Sequence, residues 1–464
     1  MPTEQKEHMM NMSAMHDEAP LTLDLQSQTT RNLGLRDQLT LWSSLGVSLL
    51  IPATAVFVVQ PDGNLPRLSI AAVTTAIVLG TAIGSILLAL TASVSAATGT
   101  PAMVTLRGVI GRRGSVLPTA LNLFQCCGWA ALEVYVIAQV ATALTGGEGR
   151  IWWTLGAGIL ATAMAVRPIR SVKLIRRYLM WLVLAATAYL LFHVISSAGD
   201  VTQQSQTPSG WQAFWPAFDI VVTMPISWAV LAGDWARHSR SRRATMVGVG
   251  LGYGLMCAVF FLIGVLAVLG SADLAQQFTP AAFVNGLLAI PVGALALAVL
   301  AVDEVDEAFA NIYSTAISTQ NLVGRADRRV LAASVGAIAT LLALTVNLES
   351  YEAFLLLIGA IFLPLVAVVL ADWFIVRRIK GGHVGAGFSV VAPTAPTRGY
   401  ICVWLLGVCA YSVVSPAAVP GWSGFWNEVG RHLPWLAQAQ GSATLIALGL
   451  TATATVTVGL LHRR

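Results

Sequence analysis

Long apolar blocks alternate with short basic or Gly- and Pro-containing breaks along nearly the whole chain, and this pattern predicts helices that cross a membrane. Ile70 to Leu90 runs without a single charge, and Ala258 to Gly270 with its flanks is a second such block. A hydrocarbon crossing takes about 20 residues of this kind. Blocks bounded by charge or by Gly and Pro centre near Val47, Ile77, Trp129, Ile159, Ala185, Trp228, Phe260, Leu300, Ile338, Phe362, Leu405 and Ala447, which gives about twelve helices. The period-2 alternation of barrel strands is absent, so the expected class is an all-α polytopic membrane protein. Residues 1–36 are polar and acidic with no apolar run, which predicts a disordered tail and no signal peptide.

Composition supports this reading. Of 464 residues, 56% are hydrophobic and 11% charged, where a soluble protein carries about a quarter. The net charge of +5 is foremost a topological signal. With twelve crossings and both termini inside, the inward segments hold Lys6, Arg31 and Arg36, then Arg107 to Arg113, Arg167 to Arg177, Arg237 to Arg243, Arg325 to Arg329, Arg377 to Arg398, and Arg463 and Arg464. Together they take 24 of the 27 Lys and Arg residues and leave Arg67, Arg150 and Arg431 outside. A wrong helix count would scramble that alternation, so the chain reads as multi-pass in the inner or plasma membrane with cytoplasmic termini. The arginines form no basic stripe with aromatics, so nucleic acid is not an expected partner; anionic lipid headgroups are. The five cysteines all lie in apolar segments and read as small apolar residues.

Polar chemistry enters the apolar blocks in a few places. The eighth block reads LAVLAVDEVDEAFANIYSTAISTQN and holds Asp303, Glu304, Asp306 and Glu307. A mid-bilayer carboxylate costs about 2.5 to 3.5 kcal/mol on insertion scales, so these acids sit in water at the outer end, or face a hydrated cavity, bind cations or share protons. Asp303, Asp306 and Glu307 share a face at i, i+3 and i+4, continued by Asn311, Ser314 and Thr315, while Glu304 points about a quarter turn away. Hard oxygens so arranged suit a sodium ion or a shared proton. The third block places Asn122, Cys126, Trp129 and Glu133 on one helix face. Trp129 offers a flat surface on which a planar ring can stack, and Glu133 can accept from its N–H groups. Pro225 in the sixth block predicts a kink or break close to Ser227 and Trp228, and Gly46 and Pro52 stand at comparable depth in the first. Interrupted helices in matching positions of two halves point to an inverted-repeat transporter with a midplane site.

The stretch TGTPAMVTLRGVIGRRGSVLPTALNLFQCCGW, with MPISWAVLAGDWARHSR, ANIYSTAIS and ADWFIVRR, resembles the nucleobase:cation symporter family of cytosine, hydantoin and hydroxymethylpyrimidine permeases. The resemblance covers about Leu35 to Arg378. It implies a leucine-transporter-type fold, with inverted repeats at about 37–198 and 211–380 in a ten-helix core (37–380), and two additional C-terminal helices in 381–464. It implies a ring stacked on Trp129, with its edge held by polar groups on helices three, six and eight. Glu133 falls at a substrate-binding position, and the usual sixth-helix stacking position falls nearer Pro225 than Trp228. Sodium in such proteins lies between first-helix carbonyls, here near Gly46 and Leu49, and the eighth helix. This chain departs from its relatives there, with Asp303, Asp306 and Glu307 in place of neutral ligands, which brings proton coupling into view.

The expected function is therefore a secondary active symporter that imports a small planar nitrogen heterocycle such as cytosine, hydroxymethylpyrimidine or a purine. The expected substrate-site residues are Asn122, Cys126, Trp129, Glu133, Pro225, Ser227, Trp228 and Asn311; for the cation they are Gly46, Leu49, Asp303, Asp306 and Glu307. Na+ or H+ is the only accessory species expected. Alternatives are a transporter of the same fold for a hydantoin, allantoin or amino acid, and an intramembrane enzyme using Asp303 and Glu307 as an acid dyad.

Overall fold

A computed structural model describes residues 22–23, 29–61, 66–197, 210–270, 286–346, 348, 350–391 and 396–462, with side chains for all of these except 168–178, 197 and 270. Helices account for the architecture, and the described residues contain no β-strand beyond two isolated bridges. The main elements are α1 (Leu35–Ser44), α2 (Leu50–Ala53), α3 (Ala55–Val59), α4 (Ile70–Thr98), α5 (Val116–Leu144), α6 (Arg150–Val166), α7 (Pro168–Ser197) and α8 (Phe214–Ala229). They continue with α9 (Gly233–Ala236), α10 (Arg242–Gly270), α11 (Gly293–Leu322), α12 (Arg328–Ala343), α13 (Tyr351–Ala371), α14 (Thr397–Val414) and α15 (Ala443–Leu461). Each of the twelve apolar centres falls in or beside one of these helices. Among the described residues, seven helices are long and apolar enough to cross a membrane. The count of twelve stays a reading of the sequence, because the first and sixth segments are broken, α11 is acidic, and others are short.

The helices sort into two packed groups. In one, α4 lies against α8 and α10, and α10 against α1; in the other, α5 lies against α11, and α12 against α6. Small residues permit the close approaches. A Cβ on Gly46 would come within 2.8 Å of the Tyr253 carbonyl of α10, and one on Gly84 within 2.8 Å of Pro225.

Both expected interruptions are present, the second just beyond Trp228 and not at Pro225 itself. The first segment unwinds between α1 and α2, at Leu45 to Leu49. Pro225, in contrast, sits inside α8, and the sixth segment breaks only after Ala229, through Val230 to Ala232 before α9. A proline removes one donor and crowds the preceding turn, yet a membrane helix can absorb this when neighbours pack around it. The break comes where Leu231 and Ala232 N–H both turn to the Trp228 carbonyl, releasing that of Ser227.

Residues 29–36, expected within the disordered tail, are tied to the body. Thr29 Oγ1 donates to the Gly99 carbonyl at 2.7 Å, Leu33 pairs with the His238–Arg240 backbone, and α1 starts at Leu35. Residues 1–21 and 24–28 lie outside the described residues. At the far end, Asp219 of α8 accepts from Ala443 N at 2.9 Å, from Thr444 N at 3.2 Å and from the Ser442 hydroxyl. An acid from the core thus satisfies the exposed donors at the N-terminus of α15.

Candidate functional site

The groups freed where the two helices break are met by side chains of α5 and α11. Glu304 accepts from Ser48 Oγ at 2.8 Å through Oε1 and from Leu49 N at 2.9 Å through Oε2. Gln125 donates from Nε2 to the released Ser227 carbonyl at 2.9 Å. A buried backbone group without a partner costs several kcal/mol in hydrocarbon, so each break needs such a polar neighbour. Asp303 adds a third link, accepting from Ser44 Oγ at 3.3 Å.

Between the two packed groups lies a cavity of about 330 Å³, counted out to its open mouth. Trp129 and Glu133 of α5, Ser227 and Trp228 of α8, and Glu307 and Asn311 of α11 all line it, with Ser48, Leu50 and Ile51 at the first break. Asn311 Nδ2 donates to Glu133 Oε1 at 2.8 Å and joins the walls. Trp129 is held edge-on by Tyr351 and Phe354, with ring centroids 5.9 and 5.4 Å away. Trp228 meets Trp42 at 6.1 Å and Tyr253 at 6.3 Å. Two braced indoles thus face one narrow cavity. A second cavity, of about 370 Å³ beside α4 and α13, has no ionisable side chain in its lining.

The remaining residues singled out from sequence lie around this chamber. Asn122 is turned to α11, donating to Ser318 Oγ at 3.0 Å and accepting from Gln125 and from Cys126 Sγ. Asn122 and Cys126 share the face of Trp129 and Glu133 but do not reach the cavity, and Pro225 packs toward Gly84. Gly46 packs on α10. Leu49 turns its N–H to Glu304. The four acids of α11 are between 1% and 4% exposed, which excludes the reading that puts them in open water. Only Glu307 of the four lines the cavity. The acids fan around the helix, and no three His, Cys, Asp or Glu residues converge on one point among the described residues.

Gln125 and Glu304 are not among the site residues expected from the sequence. Gln125 lies on the face that carries Asn122 and Trp129, so its signal was available. Glu304 points away from the other acids of α11, as the helical wheel requires, and that direction leads to the first break.

The fold matches solved transporters. Mhp1, a nucleobase-cation-symport-1 family transporter in a closed conformation with bromovinylhydantoin bound, superposes with a TM-score of 0.68 at 20% identity, covering 95% of this chain and 96% of that one. The inward-facing conformation of Mhp1 gives 0.68 at 17% identity, covering 96% and 94%. A manganese transporter of Eremococcus coleocola gives 0.58 at 13% identity, covering 95% and 99%. At these identities the likeness shows the fold, which is of the leucine-transporter type. No curated protein matches the chain. Residues 28–384 match the model of a family described as permeases for cytosine/purines, uracil, thiamine and allantoin, and the chain belongs to that family.

Proposed function

We propose that the protein is a secondary active symporter that imports a small planar nitrogen heterocycle of the pyrimidine type across the cytoplasmic membrane, driven by a monovalent cation gradient. The observation that carries the reading is the chamber itself: two indoles and a buried carboxyl, Trp129, Trp228 and Glu133, at the level where both interrupted helices break. Stacking gives such a site affinity for any flat ring, and the polar edge gives it orientation. Trp129 and Glu133 hold the ring, with Asn311, Ser227 and Trp228 completing the walls. The acids of α11 beside the first break supply the negative charge that a cation neutralises. Substrate and cation then favour the same closed arrangement by their differential affinity for it, and one packed group rocks against the other. The concentration of arginines in alternate loops supports cytoplasmic termini.

An acid-dyad enzyme finds less support, since of Asp303 and Glu307 only the latter lines the cavity. The test is uptake of radiolabelled cytosine and hydroxymethylpyrimidine into proteoliposomes under imposed Na+ or H+ gradients. Accumulation above equilibrium under one gradient is the expected result. Uptake indifferent to both gradients would remove the symport reading.

A further inference from the structure

Below the chamber the two packed groups meet again, through a different chemistry. The sixth and eighth segments both run into arginine-rich loops, at Arg237 to Arg243 and Arg325 to Arg329, so the residues after Trp228 on one and after Asn311 on the other lie towards the cytoplasm. Ser314 continues the line of Glu307 and Asn311 along α11, at i, i+4 and i+7. Asp234 of α9, 1% exposed, lies beside Ser314, and its Oδ1 accepts from Ala102 N at 3.0 Å. The next residue, Trp235, sets its ring against Tyr313 and Phe309 of α11, with centroids 4.9 and 5.7 Å away. Trp235 Nε1 meets no acceptor among the described residues, so its hold on α11 is through ring contacts.

Each side of this contact is anchored in its own group. The Arg328 guanidinium lies 5.4 Å from the Tyr313 ring centroid, and Arg328 Nη1 donates at 2.9 Å to the Ala165 carbonyl near the end of α6. On the other side α9 packs on α4, so closely that a Cβ on Gly233 would stand 2.2 Å from Ser95 Oγ and 2.8 Å from Ala102 N. Parting Trp235 from Tyr313 and Phe309 therefore means parting the two groups. Ring contacts can separate without leaving a buried hydrogen-bonding group unpaired, which the bonds of Glu304 and Gln125 at the breaks cannot do. That property suits a surface that must open and reclose.

Resting on the transporter reading above, we propose that Trp235 is the inner gate of the chamber: wedged against Tyr313 and Phe309, it closes the way to the cytoplasm. In this scheme Trp235 touches its gate partners and not the bound solute, so it governs release and leaves recognition to the chamber. Loss of both ring contacts raises the fraction of molecules open to the cytoplasm by about tenfold or more.

Two native cysteines can report on this. Cys126 of α5 is buried beside Thr315 and Asp234, with its Sγ donating to Asn122 Oδ1 at 3.7 Å. Cys257 of α10 is equally buried, but beside Tyr253. The test is alkylation of the full-length protein by a charged, membrane-impermeant thiol reagent, in inside-out and right-side-out vesicles. Two single-cysteine versions are used, one keeping Cys126 and the other Cys257. With Trp235→Ala, Cys126 is expected to react about tenfold faster or more from the cytoplasmic side, with no change from the outer side and no gain at Cys257. Trp235→Phe, which keeps a ring against Tyr313, should stay within about threefold of wild type. Tyr313→Leu should also accelerate Cys126, and the double variant should add less than the product of the single effects. Cys126 reacting within about twofold of wild type in Trp235→Ala, or Cys126 and Cys257 accelerating together, overturns the gate and leaves the transporter reading standing. Wild-type protein that accumulates no solute under either gradient removes the transporter reading, and the inference with it.

Discussion

Replacing Glu304 by alanine removes both acceptors that hold the first broken helix, and the consequence can be estimated from the bonds lost. Glu304 receives Ser48 Oγ at 2.8 Å and Leu49 N at 2.9 Å, and its side chain is 1% exposed. The Ser48 hydroxyl can rotate to another acceptor, but the Leu49 N–H is fixed by the backbone and would be stranded. Hydrogen bonds to an ionised group contribute about 1.5–3 kcal/mol, and a stranded buried donor costs about 1–3 kcal/mol, so Glu304→Ala should lose roughly 3 kcal/mol. Glu304→Gln keeps the shape: its oxygen can accept from Leu49 and its NH2 can donate to Ser48 Oγ, which already receives Leu50 N at 3.1 Å. That exchange should lose only about 1 kcal/mol. Thermal unfolding of the purified protein in detergent would report the order wild type, then Gln, then Ala. Ring affinity should fall in the alanine protein as well, because α2 supplies Leu50 and Ile51 to the chamber wall. An alanine variant as stable as wild type would refute the claim that this carboxyl holds the break. A glutamine variant more stable than wild type would show that repulsion from the neighbouring acids outweighs the tie.

Trp129→Ala should weaken ring binding by about 10- to 100-fold through lost stacking while leaving the fold intact, as followed by calorimetry and thermal unfolding; unchanged affinity would remove Trp129 from the site. Gln125→Leu strands the Ser227 carbonyl and should destabilise by about 1–3 kcal/mol, and an unfolding temperature equal to wild type would contradict that. His238 lies in the loop after α9, where Nδ1 meets the Thr30 carbonyl at 3.0 Å and Nε2 receives Arg237 Nε at 3.1 Å. Burial, aided by Arg237, lowers its pKa from 6.5 to about 4. Between those values the unfolded chain binds more protons, so the contribution of this histidine is complete above pH 6.5 and is lost as pH falls through about 4. Exchange protection of the Leu33 and Arg240 amides, corrected for intrinsic rates, should fall across that window; protection flat down to pH 4 would contradict the reasoning.

The helical membrane class was legible because apolar length is summed over many residues, so no single misjudged position disturbs it, while the leucine-transporter-type fold was legible only through the family motifs. The break in the sixth segment lies close to Ser227 and Trp228, as expected, but not at the proline, which stays inside α8. The chain unwinds instead after Trp228, where the backbone bonds are redirected and Gln125 receives the surplus carbonyl. Within the site, Trp129 and Glu133 were recognisable as an aromatic and an acid one turn apart in an apolar block. Asn122 and Cys126 lie on the same face and yet stop short of the cavity, since a helical wheel gives direction but not depth. Asp219 carried a readable signal, an acid in an apolar block, but its partner lies more than 200 residues away at the start of α15. Only tertiary structure can say that such an acid caps a helix and does not bind a solute.

The two breaks are matched by a pseudosymmetric arrangement of polar side chains. The first is met from α11 by Glu304 and the second from α5 by Gln125, and α5 and α11 pack against each other. The broken helices belong to one packed group and their polar partners to the other, so every such bond crosses the surface on which the groups would slide. In a transport cycle these crossings are what must be kept or remade, and they are unequal. The amide of Gln125 is neutral and fully adaptable, whereas the links through Asp303 and Glu304 lie among acids whose mutual repulsion grows as water leaves the chamber. In the proposed symporter, closing the first break is the step that a proton or cation would assist, and closing the second would need only the ring. Coupling would then follow from where the acids stand: a ring alone would relieve one break and a cation alone the other, so movement between the groups would be favourable only with both bound.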